Sequence, residues 1–307
     1  MAPLKNVVVV GASKSGMINL GSYIVEALRA DPAFAVTVVS RRSSPESALP
    51  SVGGSVRVVR VDDGYPPEEL ERAFAGQDAV VMATGFQVFG QEGKFVGAAA
   101  RAGVKRFVPS EFGGDTANEN TVSIFPVVGL RAQVVQDLKA KEGAGLSWTA
   151  ICTGLFVDVA LQTGFLGFDL QGQKATVWDD GKYKFSGSTR ENVARAVVGM
   201  LKNPEATANR HIYVSSFEAS LNDLVAAAEK AQDTRYSILH TSTETEAEAA
   251  RGALASGNFM AATKLLLVAT LNPGYGSNFA EGGRLWNEKL GVPREDVNDV
   301  VARVIKS

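Results

Sequence analysis

Residues 7–10 are four consecutive valines that run directly into Gly11, and this junction constrains the fold more than any other part of the chain. A β-branched run without polar alternation suits a strand buried on both faces, as in a parallel sheet covered by helices on each side. The cover follows at once: Leu20, Ile24 and Leu28 recur at i, i+4 and i+8, and the pattern stops at Asp31-Pro32. The alternation then repeats. Residues 36–39 and 56–59 read as strands, 68–75 as a helix with Leu70 and Phe74 on one side, and 79–82 as a further strand. Phe95, Ala98, Ala99 and Ala102 mark another helix before a strand at 106–108. This order implies right-handed βαβ crossovers and an α/β, doubly wound parallel sheet.

Beyond residue 120 the rhythm slows. A helix is expected over about 130–142 and a strand over 146–151. Val177-Trp178 and Tyr183-Lys184-Phe185 flank Asp179-Asp180-Gly181, which reads as a hairpin turn. Val193, Val197 and Met200 repeat at helical spacing after Arg190-Glu191-Asn192. Residues 212–214 are strand-like, Leu221, Leu224, Val225 and Ala228 mark a helix, and 244–251 reads as a solvated, alanine-rich helix. No repeats or low-complexity linkers interrupt the chain.

Three short segments at strand ends carry the chemistry. The loop after the first strand is Gly11-Ala-Ser-Lys-Ser-Gly16-Met-Ile-Asn-Leu-Gly21. A dinucleotide pyrophosphate needs a tight turn after the strand, close backbone approach and a helix N-terminus aimed at the anion. Glycines at both ends and in the middle meet that need, although the spacing is stretched relative to G-x-G-x-x-G. At the end of the second strand stand Ser40-Arg41-Arg42-Ser43, where NAD-binding chains usually place an acid. Arginine instead accommodates the 2′-phosphate of NADP(H), with Ser43 as a further donor. Ala83-Thr84-Gly85 closes the fourth strand with small residues, at the carboxyl edge where a cofactor ribose and nicotinamide approach the backbone.

Composition narrows the class. Hydrophobic residues make up 45% and charged residues 21%, with a net charge of −2 and no long single-sign run, so neither nucleic acid nor an anionic membrane is an expected partner. The single cysteine, Cys152, lies in an apolar segment and builds no disulfide framework. His211 and His240 sit apart, without the neighbours of a metal site. The N-terminal residues lack a signal peptide's layout. The apolar stretch at 150–170 is broken by Asp158, Gln162 and several glycines, and 265–271 is shorter than the ~20 residues a bilayer requires. The reading is a cytoplasmic chain acting on a small molecule.

Three further motifs carry a family resemblance. Residues 102–113, Ala-Gly-Val-Lys-Arg-Phe-Val-Pro-Ser-Glu-Phe-Gly, closely resemble the AGVKRFxPSEFG signature of NmrA-like and isoflavone-reductase-like proteins, which are atypical short-chain dehydrogenases. Residues 145–156 are similar to their GLxWTxxxTGxF segment, and 287–293 to their late NxxLGxP element. The resemblance implies a Rossmann-type NADP-binding domain over 1–155. It also implies a smaller α+β domain over 156–307, mainly substrate-binding, with some segments returning to the first sheet. NADP(H) would lie across Gly11, Ser13, Gly16, Asn19, Leu20, Arg41, Arg42, Ser43, Thr84, Gly85 and Phe86. Phe112, Phe156 and Phe165 would line a substrate cleft, although aromatics at such positions are commonly core.

Reductases of the family use a lysine at the start of the helix after the PSEFG loop. Here that position falls on Arg131. Val134 and Leu138 follow it on one helical face, so its side chain is expected to point inward. Arginine's high pKa makes it a poor proton donor, but a fixed charge in a dry cleft can stabilise an oxyanion. Alternatively Arg131 is structural and paired with a carboxylate such as Glu111. The phosphate loop also departs from the family's Gly-Ala-Ser-Gly-Asn-Leu-Gly: Gly11-Ala12-Ser13 and Asn19-Leu20-Gly21 match its ends, and the residues between lengthen it. Lys14 and Ser15 are then candidate phosphate contacts, and Met17 and Ile18 candidate substrate contacts. The expected activity is NADPH-dependent reduction of a small aromatic or polycyclic metabolite. With the lysine lost, a non-redox isomerase or cyclase on the same scaffold is the alternative, as is a regulator that senses the NADP(H) redox state.

Overall fold

The computed structural model describes residues 3–16, 18–49, 56–85 and 88–307. Its first half alternates β1 (Asn6–Val10), α1 (Leu20–Arg29), β2 (Ala35–Arg41), β3 (Val56–Val61), α2 (Pro67–Phe74), β4 (Ala79–Met82), α3 (Glu92–Arg101) and β5 (Arg106–Val108). Then come α4 (Glu119–Ile124), α5 (Pro126–Lys139) and β6 (Ser147–Cys152). The second half contains β7 (Leu155–Phe156), α6 (Val157–Gln162), β8 (Phe168–Asp169), β9 (Lys174–Trp178), β10 (Phe185–Ser188), α7 (Arg190–Lys202), β11 (Arg210–Tyr213) and β12 (Phe217–Ala219). It closes with α8 (Leu221–Gln232), β13 (Ser237–Thr241), α9 (Thr243–Ala255), α10 (Phe259–Ala262), α11 (Lys264–Leu271), α12 (Asn287–Leu290) and α13 (Val297–Ile305).

Seven strands form one parallel sheet in the order β11-β6-β5-β4-β1-β2-β3. The strand order reverses between β1 and β4, so a crevice opens at the carboxyl end of those strands. Alternate valines of β1 enter opposite layers. Val7 and Val9 pack with Ile24 and Leu28 of α1 and with Val193, Val197 and Met200 of α7. Val8 and Val10 pack with Leu70, Phe74, Phe95 and Leu138 from α2, α3 and α5. Both faces of the strand are thus dry, the environment a run of valines fits.

A second core gathers Phe125, Trp178, Phe185, Phe217, Leu224, Leu265 and Val300 around two three-stranded sheets, β12-β10-β7 and β13-β9-β8. The chain re-enters the first core through α7, β11 and α12, which contribute Ile212 and Leu290.

Two expectations shift. The helix expected from about 130 begins at Pro126, because the proline sits in the first turn, where its missing N–H costs nothing, behind an extended Phe125. The turn at 179–181 exists, with Asp179 at φ 54° and Gly181 at φ 68°, but its flanking segments do not form a hairpin. β9 pairs with β8 and β13, whereas β10 pairs with β7 and β12. The turn carries the chain from one sheet to another, and Asp179 accepts the backbone N–H of Thr243 at 2.9 Å.

Arg106, fully buried in β5, ties the sheet to its returning segment. Its guanidinium donates to Ser147 Oγ and Thr149 Oγ1 on β6, both at 2.8 Å, and to Thr207 Oγ1 at 3.0 Å. Burial brings its pKa down to about 10. Replacing it by leucine leaves several buried hydroxyls without a donor, so Arg106→Leu should cost about 3 kcal/mol of unfolding free energy. Urea denaturation measures this, and a loss below about 1 kcal/mol would mean these bonds contribute little net stability.

Candidate functional site

The crevice is built where two strand ends and one helix start are pressed close together. A Cβ on Gly11 would lie 2.5 Å from Ala83 O, and one on Gly21 would lie 2.3 Å from Gly11 O. Only glycine therefore allows β1, β4 and α1 to meet at this distance, and Gly11 also takes φ 89°. The loop between them closes on itself through Ser13 Oγ and Ser15 Oγ, 2.7 Å apart, and the Lys14 N–H donates to Ala48 O at 2.7 Å. Asn19 precedes α1 in a left-handed conformation and makes no side-chain cap bond. The Ser22 N–H turns back onto Asn19 O at 3.1 Å, so no side chain caps the start of α1.

Arg190 fixes Asn19 instead. Its Nη1 donates to Asn19 Oδ1 at 2.7 Å, its Nε pairs with Asp158 at 2.8 Å, and its guanidinium stacks 4.8 Å from the Tyr23 ring centroid. The sequence placed Arg190 only at a helix start. Nothing in the local pattern announces a contact with a residue so distant in the chain, and the one signal was a charged residue directly after the Thr189 cap of α7.

The expected cofactor residues divide by what already occupies them. Leu20 is 5% exposed and part of the first core, so only its backbone faces the loop. Arg42 is engaged by Glu69 at 2.9 Å and Asp62 at 3.6 Å, and Ser43 by the carboxylate of Asp63. Arg41 has no ion-pair partner among the described residues. Its carbonyl, with that of Ser44, accepts from Arg60 Nη1, which pins the loop after β2. At the end of β4, Thr84 Oγ1 is buried without a hydrogen-bond partner, while a Cβ on Gly85 would meet nothing within 4 Å. Ser110 Oγ donates to Thr84 O at 2.8 Å and joins β4 to β5. Phe86 and Met17 lie outside the described residues.

Arg131 points inward from α5. Its Nη1 donates to the backbone oxygen of Glu111 at 2.9 Å, its guanidinium lies 5.2 Å over the Phe89 ring, and its Nε is buried without a partner. The expected alternative, a direct ion pair with the Glu111 carboxylate, does not form: the guanidinium meets that residue's main chain. Burial lowers the Arg131 pKa, against the opposing fields of Glu111 and Glu92. Burial raises those of Glu111 and Glu92 in turn. Two buried carboxyls thus lie within the field of one cation. Sequence reading did not single out Glu92, because one acid at a helix start carries no distinguishing pattern.

The aromatic expectations separate similarly. Phe112 and Phe156, 6% and 9% exposed, belong to the first core. Phe165 is partly buried against the second core. His211, read as lacking the neighbours of a metal site, lies 3.2 Å from Thr116 Oγ1. Among the described residues no group of His, Cys, Asp and Glu is placed to hold a metal, and no helix is long and apolar enough to cross a membrane.

The NmrA-like family model matches residues 3–248. The chain is 38% identical over 301 residues to Oxidoreductase aprR of Aspergillus flavus, covering 98% of each protein. Among solved structures, the leucoanthocyanidin reductase–NADPH binary complex from Vitis vinifera superposes with a TM-score of 0.77 at 17% identity, over 98% of this chain and 100% of that one. AtPrR2 with NADP+ and (+)pinoresinol gives 0.76 at 20% identity, over 99% and 100%.

The close approach of Gly21 makes a separable prediction. Gly21→Ala forces a methyl into backbone and should cost about 3 kcal/mol, whereas Gly16→Ala, whose Cβ meets only Asn19 N at 3.8 Å, should leave stability within about 0.5 kcal/mol. Thermal unfolding followed by circular dichroism measures both, and equal losses would contradict the packing assignment.

Proposed function

The chain belongs to the NmrA-like family, and from that premise we propose that it is an NADPH-dependent reductase of a small aromatic or polycyclic metabolite. The observation that carries the proposal is the sorting of cations at the end of β2. Arg42 is already held by carboxylates, whereas Arg41 has no ion-pair partner among the described residues and stands beside a loop whose helix start has no side-chain cap. A 2′-phosphate suits Arg41, and the end of β2 carries arginine where NAD-binding chains usually carry an acid for the ribose.

The rest of the crevice fits the same ligand. Gly16 leaves the backbone open to a pyrophosphate, Gly11 holds the end of β1 against β4, Ser13 and Asn19 frame the loop, and Thr84 Oγ1 supplies a hydroxyl with no partner among the described residues. Gly85 leaves room beside it. Held by these residues, NADPH would supply the hydride for reduction of an enone, imine or carbonyl. Arg131 then opposes the negative charge that develops on the substrate, since Glu111 O and the Phe89 ring fix its guanidinium. The second core, with Phe165 at its margin, is the proposed substrate-binding unit. The bound pinoresinol named for the structural neighbour AtPrR2 supports an aromatic substrate class.

Two substitutions test the assignment. Arg41→Ala should weaken NADPH binding about tenfold or more and leave NADH binding nearly unchanged, as followed by quenching of tryptophan fluorescence. Equal effects on both cofactors would count against the 2′-phosphate contact. Arg131→Leu should lower kcat about a hundredfold in a metabolite panel scored by NADPH oxidation, and Arg131→Lys should retain activity. Full turnover in the leucine variant would reduce Arg131 to a packing role. Product formation without NADPH oxidation would point to an isomerase or cyclase, and cofactor binding without any turnover to a regulator.

A further inference from the structure

Hydride addition leaves a negative charge that must be met by a proton, and Arg131 is a poor source of one. The residues behind it form a connected chain. Glu111, at the end of β5, is 1% exposed and has one carboxyl oxygen, Oε1, that is buried without a partner. Its other oxygen, Oε2, accepts from Thr116 Oγ1 at 2.5 Å. The same hydroxyl lies 3.2 Å from Nε2 of His211. His211 is half-buried on β11, the outermost strand of the sheet, with its ring edge-on to Trp148 at 5.4 Å.

We propose that Glu111, Thr116 and His211 form a proton path from the pocket beside Arg131 to the edge of the sheet, with Glu111 delivering the proton that accompanies hydride transfer. The delivery step rests on the reductase reading, whereas the path itself does not. In the ready state His211 Nε2–H donates to Thr116 Oγ1, the Thr116 hydroxyl donates to Glu111 Oε2, and the Glu111 proton sits on the unpartnered Oε1. The substrate takes a hydride, two electrons and one hydrogen nucleus, from NADPH, which becomes NADP+. It takes the Oε1 proton at the atom bearing the charge. The carboxylate left behind accepts the Thr116 proton at Oε2 while Thr116 accepts the Nε2 proton of His211. The ring, protonated at Nδ1 by water, ends neutral. Each turnover therefore draws one proton from solvent, and rotation of the carboxyl and hydroxyl with tautomer exchange restores the ready state.

The surroundings suit both ends. Burial holds the Glu111 carboxyl toward its protonated form, helped by Asp115 and Glu92 and opposed by the Thr116 bond and Arg131. Burial keeps the His211 ring toward neutrality, with Lys139 acting in the same direction and Asp115 against it. Asp115 itself is taken up by Arg284 at 2.7 Å and by the Tyr213 hydroxyl at 3.1 Å, so it does not compete for the Thr116 hydroxyl. The buried Cys152 thiol, which accepts the Thr116 backbone N–H, is pushed well above its ordinary pKa and stays protonated.

The test has two readings. In the first, NADPH oxidation is followed with 9,10-phenanthrenequinone as acceptor. Thr116→Val should lower kcat about a hundredfold while NADPH affinity is kept, and His211→Phe should lose activity that added imidazole partly restores. A kcat within about twofold of wild type in both variants overturns the path. In the second, ¹⁵N NMR follows the titration of His211 in a His240→Gln background, which leaves a single histidine. Glu111→Gln and Thr116→Val should each shift the His211 pKa and change its tautomer balance. Unchanged titration in both overturns the path. If wild type leaves NADPH unoxidised with the quinone, the delivery step fails with the reductase reading, and the path stands or falls on the NMR titration.

Discussion

The contact on which the site depends is the one between Gly21 and the carbonyl of Gly11. Removing two side chains lets the start of α1 lie against the end of β1, with the end of β4 pressed on the other side. The energetic cost of glycine in a first helical turn is modest, about 1 kcal/mol. What it secures is position: α1 begins at the sheet's topological switch point, where folds of this kind place an anion against a helix start. The dry valine strand behind it makes the arrangement stiff, because Val7–Val10 are packed on both faces and cannot yield.

Arg190 extends that control to the other half of the molecule. It binds Asn19 at the phosphate loop, stacks on Tyr23 of α1 and pairs with Asp158 of α6, so the loop and the second core share one side chain. A charge this buried is tolerated because its donors are met, although Asp158 Oδ1 is left without a partner. Loop position is thereby coupled to α6, whose Ala160 and Leu161 belong to the second core.

Much of the fold was legible because it rests on local patterns. The valine run, the Leu20-Ile24-Leu28 face and the alternation through residue 108 all follow from periodicity, and the family motifs matched the NmrA-like model. The second half was less legible for physical reasons. β7 and β8 are two residues long, and β13 is mostly exposed, with Leu239 66% accessible, so neither leaves a burial rhythm in the sequence. The turn at 179–181 carried a correct local signal, but sheet membership on either side is a tertiary fact. At the site, Arg41 and Arg42 look equivalent in sequence. They differ only because Asp62 and Glu69 fold back onto one of them. The link from Glu111 through Thr116 to His211 spans distant segments and has no local signature at all.

The most direct measurement of the central claim is isotopic. NADPH carrying deuterium at the transferable C4 position is incubated with the protein and an accepted substrate, and the product is analysed by mass spectrometry. Hydride transfer from a cofactor held at Gly11, Arg41 and Thr84 predicts one deuterium in the product, at the reduced carbon, with loss of the label from the nicotinamide. Product formed with no deuterium while the nicotinamide keeps its label would contradict reduction and leave the cofactor a structural role.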